Sequence, residues 1–195
     1  MTLYDLLFIA LFFAAVGTVA MAVSFALRGQ GARALRILAR LGVAVFVYMG
    51  IVAITSAFNP RRVLSFGEAE CNDDWCIAVE SSKRVPAQTP GNVQYVVNLT
   101  LSSRAKRVSQ REKNVVVYLT DASGRRIDPV PDPSEVPLSV LLDPNDSVAA
   151  TRSFEVPANA GRMGLVIDHE GGFPIGWFII GYATWFRKPT MVWLI

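Results

Sequence analysis

The fold is decided by residues Val93–Ser102, Val-Gln-Tyr-Val-Val-Asn-Leu-Thr-Leu-Ser, in which apolar and polar side chains alternate. One face of this stretch carries Tyr95, Val97, Leu99 and Leu101. The other face carries Gln94, Asn98, Thr100 and Ser102. A period of two with one polar face predicts a β-strand that is buried on one side only.

Further short stretches have the same character and are separated by turn sequences rich in Gly, Pro, Asn and Asp: Cys76–Glu80, Val115–Thr120, Arg125–Asp128, Pro137–Leu142, Val148–Val156, Met163–Asp168 and Thr190–Ile195. Short strands at this spacing, without a competing helical period, predict an all-β, Ig-like sandwich. The sandwich domain is expected to occupy residues 63–195.

Two long apolar stretches precede this domain. The first, residues 3–27, carries Asp5 as its only charge, and the second, residues 41–58, carries none. As helices rising about 1.5 Å per residue, both can cross a hydrocarbon layer of about 30 Å. The first lacks the basic start and short apolar run of a signal peptide. We therefore expect a transmembrane hairpin over residues 1–62, with a cytoplasmic loop at 28–40.

Arginines between the two stretches predict the orientation: Arg28, Arg33, Arg36 and Arg40 occur there without an acidic residue. Under the positive-inside rule this loop is cytoplasmic. The N-terminus and the C-terminal domain are then expected on the periplasmic side of a bacterial inner membrane. Arg61 and Arg62, after the second stretch, oppose this orientation by two charges against four. The loop arginines can also anchor to lipid headgroups or dock an acidic partner.

Cys71 and Cys76 are the only cysteines, and they lie in Glu-Cys-Asn-Asp-Asp-Trp-Cys. In an oxidising compartment this spacing favours a disulfide that closes a small loop. Asp73 and Asp74 lie between the two thiols and raise the alternative of a metal site. Zinc sites built on cysteine need further Cys or His ligands, and the chain has only His169 elsewhere. The disulfide is the favoured prediction.

A resemblance covers about residues 70–195. The sequence Pro-Leu-Ser-Val-Leu-Leu-Asp-Pro-Asn-Asp-Ser-Val at 137–148, followed by Ser-Phe-Glu-Val-Pro at 153–157, resembles the telokin-like, Ig-type domains of exported bacterial proteins. Those domains often follow a membrane anchor or signal peptide. The resemblance implies the fold and the compartment, and it transfers no catalytic residue because fold alone does not establish function.

Small side chains predict where the helices pack. They recur every four residues in the first helix and form a shorter patch in the second: Ala10, Ala14, Thr18, Ala22 and Ala26, then Gly50, Ala53 and Ala57. Such faces allow close helix approach. The two faces are expected to meet each other or to contact helices of other subunits. Neither helix has a histidine to ligate haem or chlorophyll, and neither has an internal charge to serve as an ion path.

Two clusters in the domain are candidate interfaces. Basic side chains lie between two strands: Arg104, Lys106, Arg107, Arg111 and Lys113. They form either a solvated loop or a docking patch for an acidic subunit or anionic headgroups. Aromatic side chains near the C-terminus, among them Trp177, Tyr182, Trp185 and Phe186, exceed what one hairpin can bury. These aromatic side chains can lie in the sandwich core, at the membrane interface or against a partner protein, and the sequence leaves all three locations open.

No catalytic residue set is predicted, and Asp168, His169 and Glu170 are set aside because neighbours on a strand point to opposite faces. Residues 66–195 carry 13 basic and 15 acidic side chains, so nucleic acid is not an expected partner.

These features predict a non-catalytic accessory subunit that braces the periplasmic face of a larger inner-membrane complex. Energy-converting assemblies, photosynthetic (reaction-centre or light-harvesting) or respiratory, are the expected hosts. Expected partners are other membrane-protein subunits and the lipid bilayer, with peripheral contacts to lipid or pigment and no cofactor. Two alternatives stay open: a free-standing envelope protein that binds or senses a ligand, and an assembly factor.

Overall fold

The computed structural model describes residues 3–171, 178–179 and 188–194. The chain divides into two compact units. The helix unit comprises Met1–Pro60 together with Phe173–Lys188. The sandwich unit comprises Arg61–Gly172 and Pro189–Ile195. Phe178, Ile179 and Lys188, which the sequence placed in the sandwich domain of residues 63–195, group with the helices.

The helix unit contains α1, Leu3–Leu27, and α2, Gly31–Phe58. Gly29 has a φ of +76° and ends α1: its N–H donates to Ala26, and the N–H of Gln30 donates to Phe25. This pair of bonds is the Schellman arrangement, for which glycine is favoured because it has no Cβ. The predicted loop 28–40 is therefore too long, since the helix resumes after three residues.

Both helices are long and apolar enough to cross a membrane, a property they share with N-terminal signal sequences. Their large apolar side chains are mostly exposed; Phe13, for example, is 67% exposed. The helices pack against each other. In α1 and α2 the buried residues are Ala22, Ala34, Val52 and Ser56. The predicted pair of N-terminal apolar helices is confirmed.

The sandwich unit consists of two sheets. The strands are β1 Val63–Leu64, β2 Ala69–Asn72, β3 Trp75–Pro86, β4 Asn92–Ser103, β5 Val115–Thr120, β6 Arg126–Ile127, β7 Ser147–Pro157, β8 Gly164–His169 and β9 Thr190–Trp193. One sheet has the strand order β2-β3-β4-β7, and the other has the order β1-β9-β8-β5-β6. All neighbouring pairs are antiparallel except β1 with β9.

The core lies between the inward faces of the two sheets. The face of β4 that the sequence predicted to be buried is buried, with Tyr95, Val97, Leu99 and Leu101 at most 6% exposed. They pack with side chains from both sheets, among them Ile77, Val117, Phe154 and Leu165. The predicted β-sandwich is confirmed.

The predicted strand at Pro137–Leu142 is wrong. The segment joins its neighbours through one isolated bridge, between Leu142 and Gln110, and a turn closes where Val140 donates to Pro137. Leu138 and Val140 pack against the core from a loop, so their alternation reflects burial without strand pairing. The short strands β1 and β2 were not predicted, because neither has enough alternating apolar residues.

Candidate functional site at the basic loop

The predicted basic cluster lies in the connection between β4 and β5, and its start is held firmly. The N–H of Ser103 donates to Asp146 at 2.9 Å, and the N–H of Arg104 donates to Asp74 at 2.7 Å. Ala105 is buried beneath the loop. These contacts join the start of the loop to the β2–β3 turn and to the start of β7.

The far half of the loop is also fixed. Gln110 and Leu142 exchange two backbone hydrogen bonds of 2.8 and 2.9 Å. The Glu112 carboxylate accepts one hydrogen bond from the Asn72 side chain at 2.8 Å and another from the Asn114 N–H at 3.1 Å. The loop is thus held at both ends, while the acidic side chain within it pairs with amides.

All five basic side chains of the cluster are exposed: Arg104, Lys106, Arg107, Arg111 and Lys113. None of them forms an ion pair or a side-chain hydrogen bond with the residues that the structure describes. Val108 projects among them and is 68% exposed. An open depression of about 350 Å³ lies beside the first three cations. A fixed loop that presents unpaired cations can attract an anionic surface or ligand.

The basic loop lies at the end of the sandwich where β8 ends and where β1, β5 and β9 begin. Val115, directly after the loop, pairs with His169 at the end of β8. Thr190, which opens β9, pairs with Ile167 on β8. Val63, which opens β1, pairs with Met191. We call this end, where β8 ends and β1, β5 and β9 begin, the basic end.

The disulfide prediction is confirmed. Cys71 and Cys76 face each other across the β2–β3 hairpin, with 4.0 Å between their Cα atoms, and they form a disulfide. Asp73 in the turn has a φ of +52°, a conformation that aspartate tolerates better than most residues. The bond therefore closes the turn that receives the hydrogen bond from Arg104.

Replacing Cys71 and Cys76 together by serine is expected to lower the free energy of unfolding by about 2 kcal/mol, because the crosslink restricts only a short loop of the unfolded chain. Thermal unfolding of the full chain in detergent, with and without reductant, measures this. Reductant should lower the melting temperature of the unsubstituted chain to that of the serine variant, and it should leave the melting temperature of the variant unchanged. An unchanged melting temperature in the double variant would contradict the prediction.

Among the described residues, Glu170 and Asp168 have different partners. Glu170 pairs with Arg126, which also pairs with Asp128 and stacks on the Tyr118 ring with 4.2 Å between the guanidinium carbon and the ring centroid. Hydrogen bonds to Glu170 and then to Asp128 raise the pKa of Arg126 above its usual range. Asp168 is buried and accepts a hydrogen bond from the His169 N–H. The described residues contain no cluster of three or more His, Cys, Asp or Glu side chains that could bind a metal.

The small residues of α1 divide between two surfaces. Ala22 is buried and Thr18 half-buried, whereas Ala10, Ala14 and Ala26 are exposed. On α2, Gly50 and Ala53 are half-buried and Ala57 is exposed. Sequence reasoning missed Gly17, three residues after Ala14: it is exposed, and a Cβ added there would meet nothing within 4 Å. A smooth strip of α1 therefore stays uncovered.

The four arginines predicted to set the orientation, Arg28, Arg33, Arg36 and Arg40, are all exposed. Arg28 and Arg33 lie at the α1–α2 turn, whereas Arg36 and Arg40 lie about 8 and 14 Å along α2. Arg33 donates to the Gln30 side chain at 2.9 Å, and Arg36 donates to the Ala32 carbonyl. The aromatic residues Trp177, Tyr182, Trp185 and Phe186 lie outside the described residues. Their neighbours Phe178 and Ile179 are described and belong to the helix unit.

No family model matches the chain, and no curated protein matches it. Solved structures give low similarity. An uncharacterized β-sandwich protein from Clostridium difficile 630 is 9% identical, with a TM-score of 0.45 over 70% of this chain and 96% of that one. The yjhA protein from Bacillus subtilis is 13% identical, with a TM-score of 0.39 over 67% and 98%. A conserved hypothetical protein from Bacillus anthracis is 10% identical, with a TM-score of 0.41 over 55% and 91%.

Proposed function

We propose that the chain is a non-catalytic accessory subunit of a larger bacterial inner-membrane complex, anchored by α1 and α2, with its sandwich on the periplasmic face. The observation that carries the proposal is the uncovered strip of α1 formed by Ala10, Ala14 and Gly17. Small side chains allow another helix to approach α1 closely, and the van der Waals contacts between the two helices then stabilise the pair. Contact of the same face with lipid offers no comparable stabilisation. The strip therefore favours a partner in the membrane.

The periplasmic orientation is supported by the number of arginines on each side of the helix pair. Four arginines, Arg28, Arg33, Arg36 and Arg40, lie at the turn or in the first part of α2, against two, Arg61 and Arg62, after α2. The positive-inside rule counts basic residues and gives acidic neighbours little weight, so the ion pairs of Arg62 with Glu70 and Glu68 do not change this count. The count favours the α1–α2 turn as the cytoplasmic side.

Strand order supports an Ig-like form of the sandwich. Strands β3, β4 and β7 correspond to strands A, B and E of the immunoglobulin fold, and β9, β8, β5 and β6 correspond to G, F, C and C′. Domains of this kind serve many functions, so the fold itself gives no reaction. The basic loop provides a second docking surface, for an acidic part of the same partner complex.

The test is purification of the tagged full chain from its native membrane in mild detergent, with mass spectrometry and an absorption spectrum of the co-purified material. We expect stoichiometric membrane partners. Ala14→Leu should lower partner recovery about tenfold, because a larger side chain prevents close helix approach. Val23→Phe is the control: Val23 is exposed on the same helix, about 180° from Ala14, and a larger side chain there should have no effect.

Recovery of the unsubstituted chain alone would overturn the accessory-subunit proposal. It would favour a free-standing envelope protein that binds an anionic ligand, for which the open depression beside Arg104, Lys106 and Arg107 is the candidate site. Substoichiometric partners that are lost on further purification would instead indicate an assembly factor.

A further inference from the structure

The segment between β8 and β9 has an unusual composition for a connection in a sandwich. From Gly171 to Phe186 the chain contains 16 residues without a charge, many of them aromatic. Such a length is too short for a membrane-spanning helix, which needs about 20 residues. The strands that flank the segment are antiparallel neighbours, and β8 ends at the same end of the sandwich at which β9 begins.

Phe178, in this segment, contacts both helices. Its ring stacks on the Phe8 ring, with 6.4 Å between the centroids. Its backbone carbonyl accepts a hydrogen bond of 2.5 Å from the Tyr48 hydroxyl. The adjacent Ile179 is buried. Both contacts lie within the helix unit.

The contacted residues lie well inside the two apolar stretches. Tyr48 is ten residues before the end of α2, or about 15 Å along the helix axis, and Phe8 is about 8 Å past the start of α1. These two helix ends lie together because the connecting turn is short. A hydrocarbon half-layer is about 15 Å thick. If α1 and α2 span the membrane, Phe178 lies below its surface.

The hydrogen bond has a clear physical reason at that depth. An irregular backbone in the hydrocarbon is tolerated only where its polar groups find partners, because no water is present to bind them. The Tyr48 hydroxyl supplies such a partner to the Phe178 carbonyl. Lys188 returns the chain to the end of α2, where its ammonium donates to the carbonyls of Ala57 and Asn59 at 2.7 and 2.8 Å. A cation is favoured at this helix end.

We propose that Phe178 and Ile179 lie within the hydrocarbon layer beside the helix pair. The partner of the exposed Phe178 side chain is the acyl-chain region of the bilayer, whereas Ile179 is buried against the protein. The inference rests on the membrane anchoring in the proposed function.

Spin labels on single added cysteines in the full chain, reconstituted in lipid vesicles, test it. The native cysteines form a disulfide and do not react. Labels at Phe178→Cys, Phe13→Cys and Ala122→Cys are compared for accessibility to oxygen and to a water-soluble nickel chelate. Phe13 and Ala122 are both exposed, and they report the α1 surface and the sandwich surface away from the basic loop. We expect the Phe178 label to share the oxygen-rich, chelate-excluded behaviour of the Phe13 label.

Chelate access at Phe178 equal to that at Ala122, with Phe13 protected, would overturn the inference while leaving the anchoring intact. Chelate access at Phe13 itself would overturn the anchoring. A second variant tests the hydrogen bond: Tyr48→Phe should raise chelate access at the Phe178 label. The control Tyr4→Phe removes a hydroxyl from α1 that forms no hydrogen bond with the described residues, and it should leave access unchanged. Equal access in both variants would show that the Tyr48 bond does not hold the segment.

Discussion

Replacing Arg152 by methionine is expected to lower the free energy of unfolding of the sandwich by about 3–5 kcal/mol. Arg152 lies among the inward-facing residues of β7, and its side chain is 9% exposed. Its guanidinium donates to the Thr151 and Val136 carbonyls at 2.6 and 2.7 Å and lies 3.1 Å from the Glu135 carboxylate. Methionine fills similar space but leaves that carboxylate largely buried without its cation.

The loss of unfolding free energy in Arg152→Met should depend on pH. Burial raises the pKa of Glu135, and the positive charge of Arg152 opposes that rise. Without Arg152 the pKa of Glu135 rises further. A carboxyl group with a raised pKa in the folded state favours folding below its unfolded pKa, and this contribution is lost as the pH rises through the folded value. The variant should therefore be weakest near pH 7 and recover toward about pH 4, where the carboxyl group is neutral.

Urea unfolding of the full chain in detergent, followed by the β-sheet circular dichroism signal, measures this. Arg126→Met is the matched control: Arg126 also pairs with two carboxylates but is 42% exposed, so its loss should cost at most about 1 kcal/mol. The double variant Arg152→Met with Glu135→Leu should regain most of the lost stability, because no buried charge is left alone. A loss at Arg152 no larger than at Arg126 would contradict the prediction.

The same arginine explains why part of the fold was not predictable. Glu135 and Val136 belong to the connection between β6 and β7, and Val130 in that connection donates to Ser153 on β7 at 2.7 Å. The loop therefore covers the edge strand β7 and buries apolar residues without forming a strand. Alternation in sequence reports which side chains are buried, and it predicted the buried face of β4. It does not distinguish a paired strand from a loop packed on the core.

The candidate surfaces divide in the same way. The basic loop and the disulfide were predictable because charge and cysteine spacing are local in sequence. The contact between Tyr48 and Phe178 joins residues 130 positions apart, and no local pattern around Tyr48 indicates it. The exposed strip on α1 was predicted only in part. The four-residue spacing identified Ala10 and Ala14, but it also included Ala22, which is buried. An α-helix has 3.6 residues per turn, so residues spaced exactly four apart move gradually around the helix axis and do not stay on one face.

Replacing Arg104, Lys106 and Arg107 together by glutamine is expected to weaken association with the partner complex about 100-fold, if each cation contributes about 1 kcal/mol at an anionic surface. The fold should be unaffected, because none of the three side chains has an ionic or hydrogen-bonding partner among the described residues. Binding of the purified full chain to its co-purified complex, measured at low and high salt, tests this. High salt should weaken binding of the unsubstituted protein much more than binding of the variant, because salt screens exposed charges.

The control removes three exposed cations away from the basic end: Lys83→Gln, Arg125→Gln and Arg162→Gln. It changes the net charge equally, so a similar loss of affinity would show that overall charge, rather than the basic loop, drives association. Unchanged binding in both variants would exclude the loop as a docking surface. Binding that depends on the loop only in nanodiscs of anionic lipid, and not in detergent, would identify lipid headgroups as its partner. Loop-dependent binding in detergent requires an acidic protein surface, because anionic headgroups are then absent.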